Sequence, residues 1–362
     1  MRVALTADPG FALARALNAF HLQFEHDRAP AVREIVLAAH HARRATRREQ
    51  QAVDALRRAL VGDTLRARRL IGRHLREFPR DALMIREYVL LRGYGGASGR
   101  KRATVAALNR LAPHLGDDPW FLGQHSLALG EIGSFEVAHA KARAALAARA
   151  DQGVAAHALA HVHFEQRDDT GGRAFLDDWL GDHGRTALNC GHLTWHLTLT
   201  QLALSDPDAA LARYRQQRTM PHTQTFSIED EVSLLWRLQL RGLDVTAEWD
   251  AVVLDAPPPS SFRAFLLAHH AFALAARHDI DGLHTLRSAV LNAAVERPQE
   301  PLRFLLPLVD ALAFVASERW TEAAPALEHA AVVARRLGGS NEQHTLFDET
   351  AAFARRRTAT RQ

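Results

Sequence analysis

The sequence predicts an all-α protein, an α–α superhelix (solenoid) built from helical hairpins. Apolar residues recur at helical spacing almost throughout the chain, and no stretch shows the alternation that a half-buried β-strand requires. Turn-forming segments interrupt this pattern at short intervals, as in V-G-D at 61–63, F-P-R-D at 78–81 and G-D-D-P at 116–119. Helices of about twelve to sixteen residues fit between such segments, as stacked hairpins require.

The stretch from residue 48 to residue 81 shows the pattern of a helical pair. In REQQAVDALRRALVGD (48–63) the apolar residues form one stripe, which a Gly-Asp pair ends. In TLRARRLIGRHLREFPRD (64–81) a second stripe follows and ends at Pro79. Both segments are therefore predicted to be helices joined by a short turn.

Three later stretches, 130–146, 164–180 and 202–217, align with one another. Each has a turn, then a small residue, then a second helix, and the small residues are Ala138, Gly172 and Ala210. They lie 34 and 38 residues apart, close to the period of the tetratricopeptide repeat, a helix–turn–helix unit of about 34 residues. A small residue is expected there because the two helices of a hairpin cross closely. The hairpins are therefore predicted to be tetratricopeptide-like.

Composition narrows the class of protein. The chain has 362 residues, of which 47% are apolar, so it can build a large core. Cys190 is its one cysteine, which excludes an intramolecular disulfide and suits a reducing cytoplasm. The start lacks the pattern of a signal peptide, and no run reaches the eighteen apolar residues of a membrane helix. We expect a cytoplasmic protein that does not cross a membrane.

The net charge of +4 comes almost entirely from arginine. The basic clusters at 44–50 and 66–70 lie among acidic residues on predicted helices, so we interpret them as solvated faces rather than a nucleic-acid surface. The segment LDAPPPSSF (254–262) interrupts the helical pattern, since three prolines cannot continue a helix. It divides the chain into regions 1–253 and 262–362, which we expect to be one continuous solenoid because similar hairpins resume after it.

A family resemblance rests on stretches that lie between residues 8 and 350. They are DPGFALARAL (8–17), ATRREQQAVDALRRALVGD (45–63), HALAHVHFEQRDDTGGRAFL (157–176), NCGHLTWHLTLTQLALSDPDAALARY (189–214), EVSLLWRLQLRG (231–242) and RLGGSNEQHTLFDET (336–350). An ordinary tetratricopeptide array has no HALAHV…E, H…WH or GGS..Q. On these motifs the chain resembles the tetratricopeptide repeat protein 38 family, which implies a superhelix with a concave groove and no particular reaction.

Two positions depart from the family pattern. The family usually has an acidic residue shortly before a histidine in the segment FRAFLLAHHAFALA (262–275), where this chain has Leu267 or Ala268. The GGS segment continues with Gln343 and His344, where the family more often has Gln-Arg. At the first position this chain therefore lacks the acidic group, while His269 and His270 remain.

The segment HALAHVHFE (157–165) concentrates titratable groups in an apolar run. His157, His161 and Glu165 are four residues apart and share one helix face. The next predicted groove-lining helix carries His192, Trp195 and His196. The steps from residue 157 to 192 and from 161 to 196 are both 35 residues, so one repeat carries the histidine pair onto the adjacent helix. Since such helices lie about 10 Å apart, we expect the two pairs to meet.

These residues leave three interpretations open: metal binding, general acid–base chemistry and a structural polar network. We favour a functional site, because four histidines in repeat register accompany a carboxylate and a tryptophan. The spacing suits a metal, but H-A-L-A-H lacks the glutamate of H-E-x-x-H proteases. The sequence assigns no residue as a metal ligand, and the cofactor, with a transition metal among the candidates, stays unknown.

The candidate residues fall into two groups. Those assigned to acid–base chemistry are His157, His161, Glu165 and His196. Those assigned to ligand binding are His125, His192, Trp195, Asp230, Trp236, His269, Ser340 and Gln343. The tryptophans are expected to form an apolar wall, although core packing is the alternative. For Asp230 and Ser340 the alternative is helix capping, and Gln343 reaches the groove only if the superhelix closes on itself.

The leading hypothesis is a ligand-binding helical-repeat protein whose groove takes a small molecule or a short peptide. The first alternative is an enzyme that uses the same histidines and glutamate for hydrolysis or another acid–base reaction, with or without a metal. The second is a protein–protein interaction scaffold whose histidines are packed for structural reasons. Nucleic-acid and membrane partners are not expected, and the sequence does not indicate the oligomeric state.

Overall fold

The computed structural model describes residues 2–22, 29–93, 100–187, 189–221, 225–254, 264–296 and 300–360. These residues form helices and no β-strand, which confirms the all-α prediction. The helices are α1 (Arg2–Ala7), α2 (Ala12–Leu22), α3 (Ala29–Ala42), α4 (Arg47–Leu60), α5 (Thr64–Glu77), α6 (Ala82–Gly93), α7 (Arg100–Leu115), α8 (Pro119–Gly130), α9 (Phe135–Ala148), α10 (Gly153–Glu165), α11 (Asp169–His183), α12 (Cys190–Ala203), α13 (Pro207–Arg218), α14 (Ile228–Leu240), α15 (Thr246–Ala251), α16 (Ala264–Ala276), α17 (Ile280–Glu296), α18 (Glu300–Ala316), α19 (Trp320–Ala334) and α20 (Asn341–Ala359). Within these ranges, no helix is both long and apolar enough to cross a membrane.

The chain groups into two compact units. One comprises Met1–Tyr94 with Arg110–Leu115, and the other comprises Gly95–Asn109 with Gly116–Gln362. The boundary between these units does not coincide with the proline-rich segment 254–262, whose residues 255–262 lie outside the described part of the chain.

Hydrophobic residues on both sides of that proline-rich segment belong to one core within the second unit. Trp249 and Val252 before it are buried in the same cluster as Ala264 and Phe272 after it. The packing of the second unit is therefore continuous across the segment.

In the first unit, helix ends follow the sequence signals closely. Thr46 caps α4 in a capping box, because its hydroxyl accepts from the Glu49 amide while the Glu49 carboxylate accepts from the Thr46 amide. Asp63 caps α5, accepting from the amide of Arg66 at 3.2 Å. The helical pair predicted for residues 48–81 thus forms, and α4 packs on α5.

In the second unit, helical hairpins follow one another at a tetratricopeptide-like spacing. The first helices α8, α10, α12 and α14 begin at residues 119, 153, 190 and 228, which are 34, 37 and 38 residues apart. The first three of these helices pack against their hairpin partners α9, α11 and α13. Consecutive first helices also pack against each other: α8 on α10, α10 on α12, and α12 on α14. The first helices therefore form one continuous layer.

Small residues lie where the hairpin helices cross, as the repeat alignment predicts. Ala138 and Ala210 are fully buried. At Gly172, an added Cβ would lie 3.1 Å from Cβ of His163 and 3.4 Å from Cγ2 of Thr200. A larger side chain there would force α11 away from α10 and α12, so close helix contact explains the small residue.

The last helix, α20, packs against α14 within the second unit. Arg237 on α14 is 1% exposed and fastens the two helices together. Its guanidinium donates to the Glu342 carbonyl at 3.1 Å, to Thr345 Oγ1 at 2.9 Å and to Glu349 Oε1 at 3.1 Å. These bonds hold the first turns of α20 beside the layer of first helices, which places residues near 342 next to α10.

Candidate functional site

The start of α12 is fixed by two close contacts. The side-chain amide of Asn189, the residue before α12, donates to the carbonyl of Gly153 at the start of α10, at 3.0 Å. Gly191 lies so close to the next loop that an added Cβ would be 2.0 Å from the carbonyl oxygen of Thr225. Only glycine fits this approach, so Gly191 sets how closely α12 lies to the segment before α14. The Asn189 bond joins α12 to α10 just before His192.

Four imidazole rings meet between α10 and α12. We call His157, His161, His192 and His196 the four-histidine centre. The ring centroid of His157 lies 4.5 Å from that of His161 and 4.7 Å from that of His192. The centroid of His196 lies 4.8 Å from those of His161 and His192. The 35-residue register thus brings the two histidine pairs together, as the sequence predicts.

The nitrogens of these rings point at one another. Nε2 of His157 is 2.9 Å from Nε2 of His161 and 3.0 Å from Nε2 of His192. A neutral imidazole carries one proton on its two nitrogens, so one Nε2 atom can act as donor or as acceptor but not as both. The centre therefore gathers lone pairs that the available protons satisfy only in part.

Two carboxylates hold the outer nitrogens of two rings. Both oxygens of Asp230, on α14, are 3.0 Å from Nδ1 of His192. Oε1 of Glu342, on α20, is 2.9 Å from Nδ1 of His161. Both carboxylates are buried. An Nδ1–H facing a carboxylate leaves the Nε2 lone pair of a neutral ring directed inward, so the carboxylates set the orientation of the two rings.

Some buried polar atoms of this region have no hydrogen-bond partner among the described residues. They are Nε2 of His196 and both carboxylate oxygens of Glu342. Glu342 nevertheless has a charged neighbour, because its Oε1 lies within ion-pair distance of Nδ1 of His161. Buried polar groups in folded proteins nearly always have partners, so the unpaired Nε2 of His196 is unusual.

Burial and charge shift the titration of these rings in different directions. Burial, followed by the positive charge of neighbouring imidazoles, lowers the pKa of His157 and of His196 well below the ordinary value. Burial also disfavours the charged form of His161, but the charge of Glu342 outweighs it and raises the pKa of His161. The centre thus combines neutral rings with one ion pair.

Trp195 forms the apolar floor of the centre on α12. Its ring stacks on His192 with the centroids 5.3 Å apart and the planes 13° from parallel. The indole is fully buried and donates to Ser233 Oγ at 2.8 Å. His192, in contrast, keeps 26% of its side-chain surface exposed, and His157 is half-buried. The centre is therefore open to solvent on the side of these two histidines.

Glu165 is not the carboxylate that contacts the histidines. Its Oε1 accepts from Asn341 Nδ2 at 2.5 Å, which ties the end of α10 to the start of α20. The carboxylate beside His161 is Glu342 instead. The expected stripe of His157, His161 and Glu165 therefore continues along α10, but its acidic member belongs to a separate contact.

His125 and His269 lie in surroundings of their own. His125 on α8 donates from Nε2 to Asn109 Oδ1 at 2.7 Å, and burial, with the charge of Lys141, lowers its pKa to about 4. His269 on α16 donates from Nδ1 to the carbonyl of Phe265 at 2.9 Å, and burial lowers its pKa to about 4. Nδ1 of His125 has no partner among the described residues. In the described part of the chain, neither histidine has a ring contact with the four-histidine centre, and their ligand-binding roles stay predictions.

Three further candidates have structural partners. Trp236 is buried in the hydrophobic core against Phe272 and donates to Thr350 Oγ1 at 3.0 Å, so core packing, the alternative for this residue, describes its place. Ser340 and Gln343 form the capping box of α20. Oε1 of the Gln343 side chain accepts from the backbone amide of Ser340 at 3.0 Å, and this bond accounts for the orientation of the side chain.

Sequence reasoning missed Glu342 and gave Asp230 a different role. Asp230 was expected to bind a ligand or to cap α14, whereas its side chain holds His192 and Ser227 caps the helix. Glu342 lies inside the segment GGSNEQ, between the two residues of the capping box. An acidic residue in a first helical turn is so common that only the position of α20 reveals its contact with His161.

Comparison with known proteins adds little detail to this geometry. No family model matches the chain. A structure of Naa15/Naa10 bound to HypK-THB is similar at 13% identity and a TM-score of 0.30, over 99% of this chain and 57% of that chain. The structure of the P58(IPK) TPR domain is similar at 13% identity and a TM-score of 0.25, over 88% of this chain and 99% of that chain. This chain thus spans little more than half of the first of the two.

Proposed function

We propose that this protein is a cytoplasmic helical-repeat protein that binds a small polar molecule, or the end of a short peptide, at the four-histidine centre. The observation that carries the proposal is the convergence of four imidazole rings around Nε2 of His196, a buried atom with no hydrogen-bond partner among the described residues. A buried polar atom without a partner lowers stability, and folded proteins retain such atoms mainly where they contact something else.

The shape of the surroundings supports small ligands over long ones. His196, Trp195 and Glu342 are buried, and exposure is limited to His157 and His192. A small molecule entering past these two rings would meet the stacked indole of Trp195 and polar atoms with unused hydrogen-bonding capacity. A few converging polar groups beside an aromatic wall are typical of small-molecule sites.

Ligand binding can be tested with a defined panel of amino acids, dipeptides and dicarboxylates. We expect at least one class to raise the thermal unfolding midpoint as its concentration increases, because a ligand that binds only the folded state adds stability. The shift should be absent in His192→Ala and present in His163→Ala. His163 is a matched control, since it lies on α10 but bonds Asp168 at 2.8 Å.

Equal shifts in both variants would show that the compounds bind elsewhere and would contradict the proposal. A related variant distinguishes the proposed ligand-binding site from a protein–protein interaction scaffold. A peptide that binds along exposed helix faces would not depend on the buried His196, so His196→Ala would leave its affinity unchanged.

A specific arrangement favours an enzyme as the second candidate. Glu342, His161 and His157 form a chain of a carboxylate and two imidazoles, with successive contacts of 2.9 Å. A carboxylate that orients one imidazole against another is suited to moving a proton to or from a substrate. Hydrolysis of p-nitrophenyl acetate above the background rate should then fall about 100-fold or more in His157→Gln. A wild-type rate equal to the buffer rate would count against this candidate.

A further inference from the structure

The arrangement of donors in the four-histidine centre resembles a ligand set for a metal ion. Nε2 of His157 lies between the Nε2 atoms of His161 and His192, at 2.9 and 3.0 Å. Donor atoms of His157, His192 and His196 all lie within 4.8 Å of one another. In a tetrahedral zinc site, with Zn–N distances of about 2.0–2.1 Å, ligand nitrogens lie about 3.3 Å apart. The two shortest nitrogen–nitrogen distances lie slightly below that value, and the other donor atoms lie within a few ångströms of it, so the rings are close enough to surround one ion after a small rearrangement.

The outer contacts are those that metal-binding histidines commonly make. A ligating imidazole usually donates its other N–H to a carboxylate, which fixes the tautomer and raises the basicity of the ligand nitrogen. His192 contacts Asp230 in this way, and His161 lies 2.9 Å from Glu342. The two carboxylates come from α14 and α20, so four helices contribute to the surroundings of one group of nitrogens.

The crowding of ring nitrogens favours a cation at the centre. His161, in its ion pair with Glu342, can donate from Nε2 to Nε2 of His157, so the lone pair of His157 is used there. With Nδ1 facing Asp230, Nε2 of a neutral His192 ring directs its own lone pair at the same atom, and Nε2 of His196 has no described partner. A doubly charged ion that displaced the His161 proton would satisfy all these nitrogens, and the charges of the two carboxylates would balance its own.

We propose that His157, His192 and His196 bind a divalent first-row transition-metal ion, represented by Zn²⁺. Imidazole nitrogens without thiolates suit zinc and its neighbours rather than Mg²⁺ or Ca²⁺. His161, whose Nε2 is close to that of His157, is near enough to be a fourth ligand. This inference rests on the proposed function, because the ion would be the species that a small polar ligand contacts. It revises the sequence interpretation, which assigned no metal ligand.

The test begins with protein purified without chelator. Elemental analysis should find about one transition-metal ion per chain, as expected for a single site with these ligands. After removal of metal with a chelator, titration with Co²⁺ should produce a saturable visible absorption band, which Zn²⁺ should abolish by displacement. Both signals should be lost in His157→Ala and His192→Ala, while His163→Ala should match the wild type. Far-UV circular dichroism verifies that each variant is folded.

A second set of variants keeps the ligands and changes only the carboxylate behind them. Asp230→Asn should weaken Zn²⁺ binding by about 10–100-fold, the usual effect of removing the hydrogen-bond partner of a metal ligand. Glu349→Gln is the matched control, because Glu349 also faces α14 but contacts Arg237 and Arg241. Equal affinities in the two variants would overturn the assignment of Asp230 to this role.

Wild-type protein that retains less than about 0.1 ion per chain after incubation with Zn²⁺, and shows no cobalt band, would overturn the metal inference. Wild-type stoichiometry in His157→Ala and His192→Ala would overturn it as well, since the ion would then be adventitious. The panel of small ligands separates the two proposals. Ligand binding in chelator-treated protein, with no metal binding, would leave the proposed function intact. Metal binding without any ligand would contradict the proposed function alone.

Discussion

Two regions of the molecule bury histidine, and they treat it differently. In the first unit, His74 on α5 is 0% exposed, and each ring nitrogen has its own partner. Nδ1 lies 3.1 Å from Gln51 Oε1, and Nε2 lies 2.9 Å from Asp81 Oδ2. In the second unit, the rings of the four-histidine centre direct nitrogens at one another, and Nε2 of His196 has no partner within the described ranges.

The difference shows that burial alone does not indicate a functional histidine. Asp81 joins the His74 pair to the rest of the unit, since it also accepts from Arg48 at 2.7 Å and from the amide of Met84 at 3.3 Å. Every polar atom in that contact has a complementary partner, so the contact stabilises the fold and leaves no capacity for a ligand. In the four-histidine centre, by contrast, imidazole nitrogens face one another, so part of their hydrogen-bonding capacity is unused.

Removal of His74 should have the largest effect on stability. His74→Leu leaves the Asp81 carboxylate, which is 1% exposed, with Arg48 as its remaining charged partner. We expect the free energy of unfolding to fall by about 2–4 kcal/mol. The reason is that the Asp81 carboxylate stays buried after it loses one of its hydrogen-bond partners. Urea denaturation measures this change.

The control for this substitution is His163→Leu, which breaks a contact of the same type at the surface. The His163–Asp168 pair is separated by 2.8 Å, but the Asp168 side chain is 51% exposed. Such pairs contribute about 0–1 kcal/mol. If both substitutions had the same effect, burial of the His74 contact would not be the source of its stability.

The next largest expected effect is a pH dependence of the unfolding free energy that is caused by the Asp81 carboxyl group. Burial by itself would raise the pKa of Asp81, but hydrogen bonds from His74 and Arg48 outweigh it and lower the pKa to about 2. Because the folded-state pKa lies below the unfolded value of about 3.9, this stabilisation is complete above pH 4 and is lost as pH falls towards 2. It amounts to about 2 kcal/mol.

Urea denaturation of the wild type and of Asp81→Asn between pH 6 and pH 2 measures this contribution. The difference in unfolding free energy between the two proteins should shrink as pH falls from 4 to 2. A difference that stays constant over this range would mean that Asp81 has the same pKa in the folded and unfolded states.

The sequence predicts the convergence of the four histidines but not the carboxylates around them. The register of 35 residues between His157 and His192 is local information, because it follows from the length of a single hairpin. Hairpin length also predicts the small residue at Gly172. Contacts between one repeat and the next, such as these, can therefore be predicted from the periodicity of the sequence.

Glu342 could not be predicted because its position depends on all the hairpins between α10 and α20. Each hairpin adds a small rotation, and periodicity does not give the sum. The sequence offered helix capping, a local pattern, as the alternative for Ser340, but it did not predict that Gln343 completes the capping box or that Glu342 between them faces His161. For Trp236, too, the sequence does not decide the position, because a tryptophan fits both the wall of a ligand site and the hydrophobic core in which it lies.

The smallest expected change in unfolding free energy also distinguishes the four-histidine centre most clearly from the His74 contact. In chelator-treated protein, His196→Phe should change the free energy of unfolding by less than about 1 kcal/mol, because another flat aromatic ring replaces the imidazole and Nε2, one of the two nitrogens lost, has no described partner. Addition of Zn²⁺ should stabilise the wild type and leave the variant unaffected. A loss as large as that of His74→Leu in the absence of metal would mean that His196 belongs to a satisfied structural network. The four-histidine centre would then be a second example of the His74 contact, and neither a ligand nor a metal ion would be needed to explain it.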